Sequence, residues 1–457
     1  MSDKVEFVSN DIPQDIVLHI LHKLPVKSLI RFSCVSKLWF FLINNHHQQF
    51  NKFQMVESQK KPILLFTFQD CFKQKRFYYV QKEENGNTPN TNLFTYQKNI
   101  SYNGLEYMIG YSNGLACYWN YGVHRESYNG EWVYFSLEIC NPSRIEKLII
   151  VSRLISRVGE HICCFRIGYN PFRNEYKVMC IMKYYEYEYY IFTLGSSKPW
   201  RKISNPWPKH RPMSSFPSNV RRRIPPISCN GTLFYETEKP EEEKKIYRRL
   251  SPAAGKENYR RFALVSFDLQ GEKFQIIELP RDDEFVLNYN KGVFSPMEYK
   301  GCFSYSRMGT EEYDPYSGKV VLHILKDAVK SVWVKETIKF VLPRNQLDNP
   351  PLPDRDVIVI FCNQVILFWS NVGFYNVHSK KLKKVEIPKE CFANYHENYI
   401  SSYVENFHSL KAWATVTGEG NTRDVLEEYK KNSHLRREVF NNIPTNNPAV
   451  ICFLDSL

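Results

Sequence analysis

"SFDLQGEKFQII", residues 266–277, decides how most of this chain folds. An apolar strand runs into Asp268 and a polar, Gly-containing reversal, then leaves through Lys273 and Phe274 into branched aliphatics. Asp and Gly favour the tight backbone geometry of a turn, and the flanking residues favour strands, so the stretch predicts a β-hairpin. The same grammar recurs in "ICNPSRIEKLII" (139–150), "GYNPFRNEYKVM" (168–179), "FTLGSSKPWRKI" (192–203), "EYDPYSGKVVLHI" (312–324) and "YNVHSKKLKKVEI" (375–387). A second element is a strand led by Gly or Asn: "NGLACYW" at 113, "NGTLFYE" at 230, "KGCFSYS" at 300 and "NQVILFW" at 363. In the later part of the chain the two alternate, 230 with 268, 300 with 314 and 363 with 376. Strand plus hairpin, repeated, predicts small antiparallel sheets arranged radially as blades, which hides most sheet edges. A stacked sandwich is the alternative, and the irregular spacing yields no blade count.

The N-terminus has a different character. Residues 12–43, "IPQDIVLHILHKLPVKSLIRFSCVSKLWFFLI", contain 19 Ile, Val, Leu, Phe, Trp or Cys among 32. Ile16, Val17, Ile20, Leu21 and Leu24 recur at three- and four-residue spacing behind Pro13, and Leu24-Pro25 ends that helix. "VKSLIRFSCV" predicts a second helix with Leu29, Ile30 and Phe32 inward; Ser36 is the N-cap of a third. Three short helices make a unit too small for one self-sufficient core. Their apolar residues cover more than one face, so part of the surface is expected to belong to a partner. The fold class is therefore α+β multidomain, a three-helix module followed by an all-β domain.

These residues resemble an F-box. Ile12-Pro13, Asp15, "ILHKLPVKSLIRFSCVSK" and Trp39 match its pattern, with "LPVKSL" and "CVSKLW" at the right separation. Ile12 stands where Leu is usual, and Phe40-Phe41 replaces a commonly polar pair. The resemblance implies a trihelix that binds a Skp-type adaptor, and through it a cullin-RING ubiquitin ligase, using Pro13, Ile20, Leu21, Leu24, Pro25, Leu29, Val35 and Trp39. "SNGLACYW", "IGYNPFRNEYKVM", "KPWRKI" and "LVSFDLQGEKFQIIELP" resemble, in order, the marks of the F-box-associated domain of plant F-box proteins. That resemblance covers about 100–410 and implies a kelch-like propeller that receives a protein target. The expected organisation is an F-box at 8–50, a linker and first strands at 51–99, the propeller-like domain at 100–410, and a short helix with a flexible tail at 411–457.

Composition narrows the function. The chain has 457 residues, 43% of them hydrophobic, with 30 Tyr and 31 Phe and a formal net charge of +13. Such apolar content supports a sizeable core and excludes a disordered chain. "MSDKVEFVSND" lacks the apolar run of a signal peptide, and "VIVIF" (357–361) is far shorter than a bilayer needs. A nuclear or cytoplasmic location, no membrane partner, and reduced, buried thiols for the twelve Cys are expected. No CxxC occurs, and no metal or cofactor is expected. Between Lys198 and Arg261, sixteen Lys or Arg face six Asp or Glu, a net of +10 in Pro-rich loops. Arg221, Arg222 and Arg223 in "VRRRIPP" are candidate target contacts there. Aromatic residues in the stretch are scattered, without the interleaving of a single-strand groove, so nucleic acid is disfavoured. No GxSxG, HExxH or phosphate loop occurs. Asp268 and Asp314 read as turn acceptors, and His323 and His378 as packing or surface residues, so no catalytic constellation is read, and the expected role is the non-catalytic receptor subunit that the resemblance implies. An adaptor-bound scaffold outside a ligase and a basic nucleic-acid binder are the alternatives.

Overall fold

The structure, a computed structural model, describes residues 13–46, 49–50, 53, 63–70, 75–82, 92–97, 105–126, 130–144, 146–154, 161–183, 187–196, 200–204, 210–212, 227–238, 262–290, 294–311, 314–341, 357–361, 365–368, 373–376, 380–384, 399–402, 404–410 and 450–453. Three helices come first: α1 (Gln14–His22), α2 (Val26–Phe32) and α3 (Lys37–Asn45). Pro13 and Pro25 occupy the N-caps of α1 and α2, each accepting at its carbonyl from the first turn. Ser36 caps α3, its hydroxyl accepting from the Trp39 N–H at 3.2 Å.

The strands then fall into six sheets among the described residues. The first holds β1 (Ile63–Asp70), β2 (Lys75–Lys82) and β3 (Asn92–Gln97). The second holds β4 (Leu105–Ser112), β5 (Leu115–Glu126), β6 (Gly130–Asn141) and β7 (Glu146–Leu154). The third holds β8 (His161–Asn170), β9 (Glu175–Lys183), β10 (Tyr187–Thr193) and β11 (Arg201–Lys202). In the fourth, β12 (Arg211–Pro212) and β13 (Ile227–Cys229) share one edge of β14 (Thr232–Glu238), followed by β15 (Phe262–Asp268) and β16 (Lys273–Ile277). Helix α4 (Asp283–Asn290) leads into the fifth: β17 (Ser295–Tyr299), β18 (Cys302–Glu311), β19 (Asp314–Asp327) and β20 (Val332–Val341). The sixth holds β21 (Val357–Phe361), β22 (Val365–Phe368), β23 (Gly373–Asn376) and β24 (Lys381–Lys384). Finally β25 (Tyr399–Ser402) returns to pair antiparallel with β1. A late strand thus supplies one edge of the first blade, and β4, β8, β13, β17, β21 and β25, one from each blade, contact one another in that order.

Cores lie between blades because each strand presents alternate residues to two neighbours. On β9, Tyr176, Val178, Cys180 and Met182 pack toward the second blade, and Met179 and Ile181 toward the fourth. Phe234 and Leu264 of the fourth meet Phe303, Tyr305 and Leu325 of the fifth. Cys117, Cys140, Cys164, Cys180 and Cys229 are buried in these layers.

The Asn/Gly-led strands begin at tight reversals: Asn113-Gly114, Asn230-Gly231 and Lys300-Gly301 all have positive φ at both positions, the geometry of a two-residue hairpin. The hairpin at 266–277 turns where expected, Asp268 accepting from the N–H groups of Gln270 and Gly271. Two readings are corrected. "DPYSG" is no turn: β18 ends at Glu311 and Asp314–Gly318 already belongs to β19. The expected C-terminal helix and tail lie outside the described residues except for 450–453, which form β26 (Val450–Phe453), a strand parallel to β7.

Candidate functional site

The three helices form one apolar cluster. Leu21, Val26, Leu29 and Ile43 are buried at its centre, with Val17, Leu18, Leu24, Ile30, Phe32 and Trp39 partly buried around them. Trp39 stacks on Phe32 with ring centroids 5.2 Å apart. Two members come from outside the helices: Phe50, and Phe407 from the segment after β25. Val26, whose N–H has no acceptor on Pro25, donates instead to Glu405 Oε2 at 2.7 Å.

This arrangement divides the eight residues that resemblance assigned to adaptor contact. Leu21 and Leu29 are 0% exposed and sit in the internal core of the helical cluster. Leu24 and Trp39 are partly buried against that core. Pro13, Pro25, Ile20 and Val35 are exposed. Around them lie residues the motif reading did not assign: Ile16 (50% exposed) one turn from Ile20 (47%), and Phe40 (56%) and Phe41 (60%) beyond Val35 (66%). Exposed aliphatic and aromatic side chains at this density are the signature of a docking surface. The signal was present in the sequence as an apolar excess, but periodicity alone does not say which stripe faces inward. Phe50 and Phe407 of this chain fill the inner side of the helical cluster.

His22 sits on this inner side, its ring 4.8 Å from Phe50. Burial, with repulsion from His46 and His19, holds its pKa below the usual histidine value, which favours the neutral imidazole.

The second candidate region is the basic stretch. Arg221, Arg222 and Arg223 lie outside the described residues, as does His378. The strand ends flanking the stretch are described. Glu238, ending β14, pairs with Phe262, beginning β15, at the sheet end opposite the Asn230-Gly231 reversal. Arg211 pairs with Glu238 at that same end. His323 is buried, hydrogen-bonded to Asp282 Oδ2 at 2.9 Å and flanked by Phe285 and Phe294, a packing role. Among the described residues no group of three His, Cys, Asp or Glu is placed to hold a metal, and no helix is long and apolar enough to cross a membrane.

Comparison with known proteins agrees with both halves. Residues 9–49 match the F-box domain, and residues 63–408 match the F-box associated beta propeller domain. The chain is similar to F-box protein At5g65850 of Arabidopsis thaliana, 26% identical over 421 residues, covering 88% of this chain and 91% of that one. It is also similar to F-box protein At1g47810 of the same plant, 28% identical over 351 residues, covering 71% and 86%. With an N-terminal trihelix, a closed ring of antiparallel sheets and a match across most of its length, the chain belongs to the F-box proteins carrying an F-box-associated β-propeller domain.

Proposed function

We propose that this protein is the substrate receptor of a Skp-cullin-F-box ubiquitin ligase: the trihelix docks a Skp-type adaptor and the propeller holds a protein target. F-box proteins are in general non-catalytic receptor or adaptor subunits, and the F-box domain itself implies a Skp-type adaptor. The observation that carries the reading is the exposed set Pro13, Ile16, Ile20, Val35, Phe40 and Phe41, on and between helices whose inner face is already filled. No covalent step falls to this chain. Holding target and conjugating machinery in one assembly raises the effective concentration of one for the other. Loop segments on a rigid β scaffold are where recognition concentrates, and the +10 of residues 198–261 favours a target of acidic character. We place its action in the nucleus or cytoplasm.

The test is co-purification of the full chain. Adaptor and cullin together support the ligase reading, and adaptor without cullin supports a scaffold outside a ligase. Ile20→Asp with Val35→Asp should abolish adaptor capture without unfolding the chain; adaptor retained by that variant would refute the docking surface. Arg221, Arg222 and Arg223 changed together to Glu should weaken target capture only. Tight binding of random nucleic acid at physiological salt, below about a micromolar, would instead favour the basic nucleic-acid reading.

A further inference from the structure

We infer that the segment Glu405–His408 is a positioning strut that fixes the trihelix in one orientation on the propeller. It rests on the ligase reading above for its purpose, though not for its geometry.

The segment 404–410, "VENFHSL", follows β25 and is read from two sides by alternate residues. Toward the propeller, Asn406 donates through Nδ2 to the carbonyl of Asn113 at 2.8 Å and to the Tyr176 hydroxyl, and its N–H donates to Ser143 Oγ at 2.9 Å. Asn141 Nδ2 donates to the carbonyls of Asn406 and His408 at 3.0 and 2.8 Å. The His408 ring lies edge-on to Tyr176, and Leu410 is buried between the second and third blades. Gly114 leaves room for the crossing: a Cβ there would stand 2.2 Å from the Val404 carbonyl oxygen. Toward the helices point the two intervening residues. Glu405 accepts from Val26 N–H at the start of α2, and Phe407 enters the helical core, 4% exposed and edge-on to Phe50 at 6.2 Å. Arg144, from the turn between β6 and β7, covers the outer face of the Phe407 ring at 5.2 Å and pairs with Glu146.

One extended segment therefore takes part in both domain cores. A polar contact and an apolar one, two residues apart, resist both sliding and rotation of the trihelix, which a single covalent joint does not. For a receptor that works by proximity, such a joint keeps a bound target at a constant distance from the adaptor-bound end. Glu405 and Phe407 are on this argument positioning residues for ubiquitin transfer.

The test compares the full chain, alone and with a Skp-type adaptor, with Phe407→Ala and Glu405→Ala. In the unmodified chain, trihelix and propeller should unfold in one transition. Hydrogen exchange in residues 24–32 should be as slow as in the blades. Phe407→Ala should split off an earlier transition and speed exchange in 24–32 at least tenfold. Exchange at 115–118 and 137–140 should stay unchanged. Adaptor affinity should remain within about threefold, while small-angle scattering of the complex broadens. Should Phe407→Ala fail to fold its helices, Glu405→Ala keeps every apolar contact and should give the same pattern in milder form. Two separate transitions in the unmodified chain, or variants with unchanged exchange and scattering, would overturn the strut. Failure of the ligase reading looks different: the adaptor does not bind the unmodified chain, while the melting and exchange results stand.

Discussion

The trihelix and the boundary between the third and fourth blades solve the same problem of burial in opposite ways. At the blade boundary, Met179, Ile181, Tyr189 and Ile191 meet Leu233, Val265, Phe267 and Phe274, all from paired strands of two adjacent sheets. Every residue there is held by a ladder of hydrogen bonds, and each sheet has a second neighbour on its other face. The trihelix has helices of nine, seven and nine residues. Its own buried members are few, and Phe50 and Phe407 complete the cluster. A small helical unit with one face reserved for another protein cannot also close its own core, and here the propeller supplies the missing side chain. The ring carries the stability, and the helices draw on it.

The largest effect should therefore follow truncation inside the ring. Phe267 is fully buried with its ring 4.6 Å from Phe274, so Phe267→Ala is expected to cost about 3–5 kcal/mol and to lower the melting of the whole propeller cooperatively. A calorimetric scan in which only one blade melted early would break the comparison. Phe407→Ala comes next, at about 3 kcal/mol, the low end for a buried Phe. That loss should fall on the helices rather than the blades, as residue-resolved exchange would report.

How much of this was legible depended on whether the cause was local. Asn-Gly at 113 and 230 and Asp268 with Gly271 mark turns through residues that adopt or cap the required backbone, and those turns are where the sequence predicts them. The hairpin at 327–331 uses the same device, Asp327 accepting from Lys330 N–H and Ser331 taking positive φ. "DAVKS" nevertheless has neither Gly nor Pro to announce it. The opposite error arose at "DPYSG", where Gly318 serves packing and not reversal. A Cβ there would stand 2.3 Å from Phe340 Cζ, so the glycine admits the ring of the neighbouring strand. Closure by β25, more than three hundred residues from β1 in sequence, had no local signal at all. The helical site was legible in its caps and in the inward Leu29. That Leu21 and Leu29 share their core with Phe407 was not legible, because no local pattern reveals a contact across more than 370 residues of sequence.

Gly318→Ala sharpens that distinction at a smaller scale. If the glycine is a packing position, the added methyl collides with a nearly buried Phe340 and should cost about 1–3 kcal/mol, as overpacking does. Gly318→Ala combined with Phe340→Leu should recover part of the loss. A turn-forming glycine would show no such rescue, and equal melting of single and double variants would return "DPYSG" to the class of reversals.

Acidification gives the smallest effect and compares the two regions most directly. Burial, and then repulsion by His46 and His19, lowers the pKa of His22 in the folded trihelix. Burial lowers that of His323 in the fifth blade, against the opposing pull of Asp282. In both cases the unfolded chain binds a proton more readily than the folded one. The stabilising difference is present above the ordinary histidine pKa of about 6.5 and is lost as pH falls through the folded value. Protection factors in residues 14–32, taken relative to the intrinsic exchange rate at each pH, should thus fall between pH 7.5 and pH 5.5, and His22→Asn should remove part of that pH dependence. The blade around His323 should respond less, because protonation there gains the Asp282 carboxylate at 2.9 Å as a counter-charge, whereas His22 faces the rings of Phe50 and Phe53. An acid response larger in the fifth blade than in the helices would mean that burial of His323 outweighs its carboxylate, and that the ring, not the trihelix, is the acid-sensitive half of the molecule.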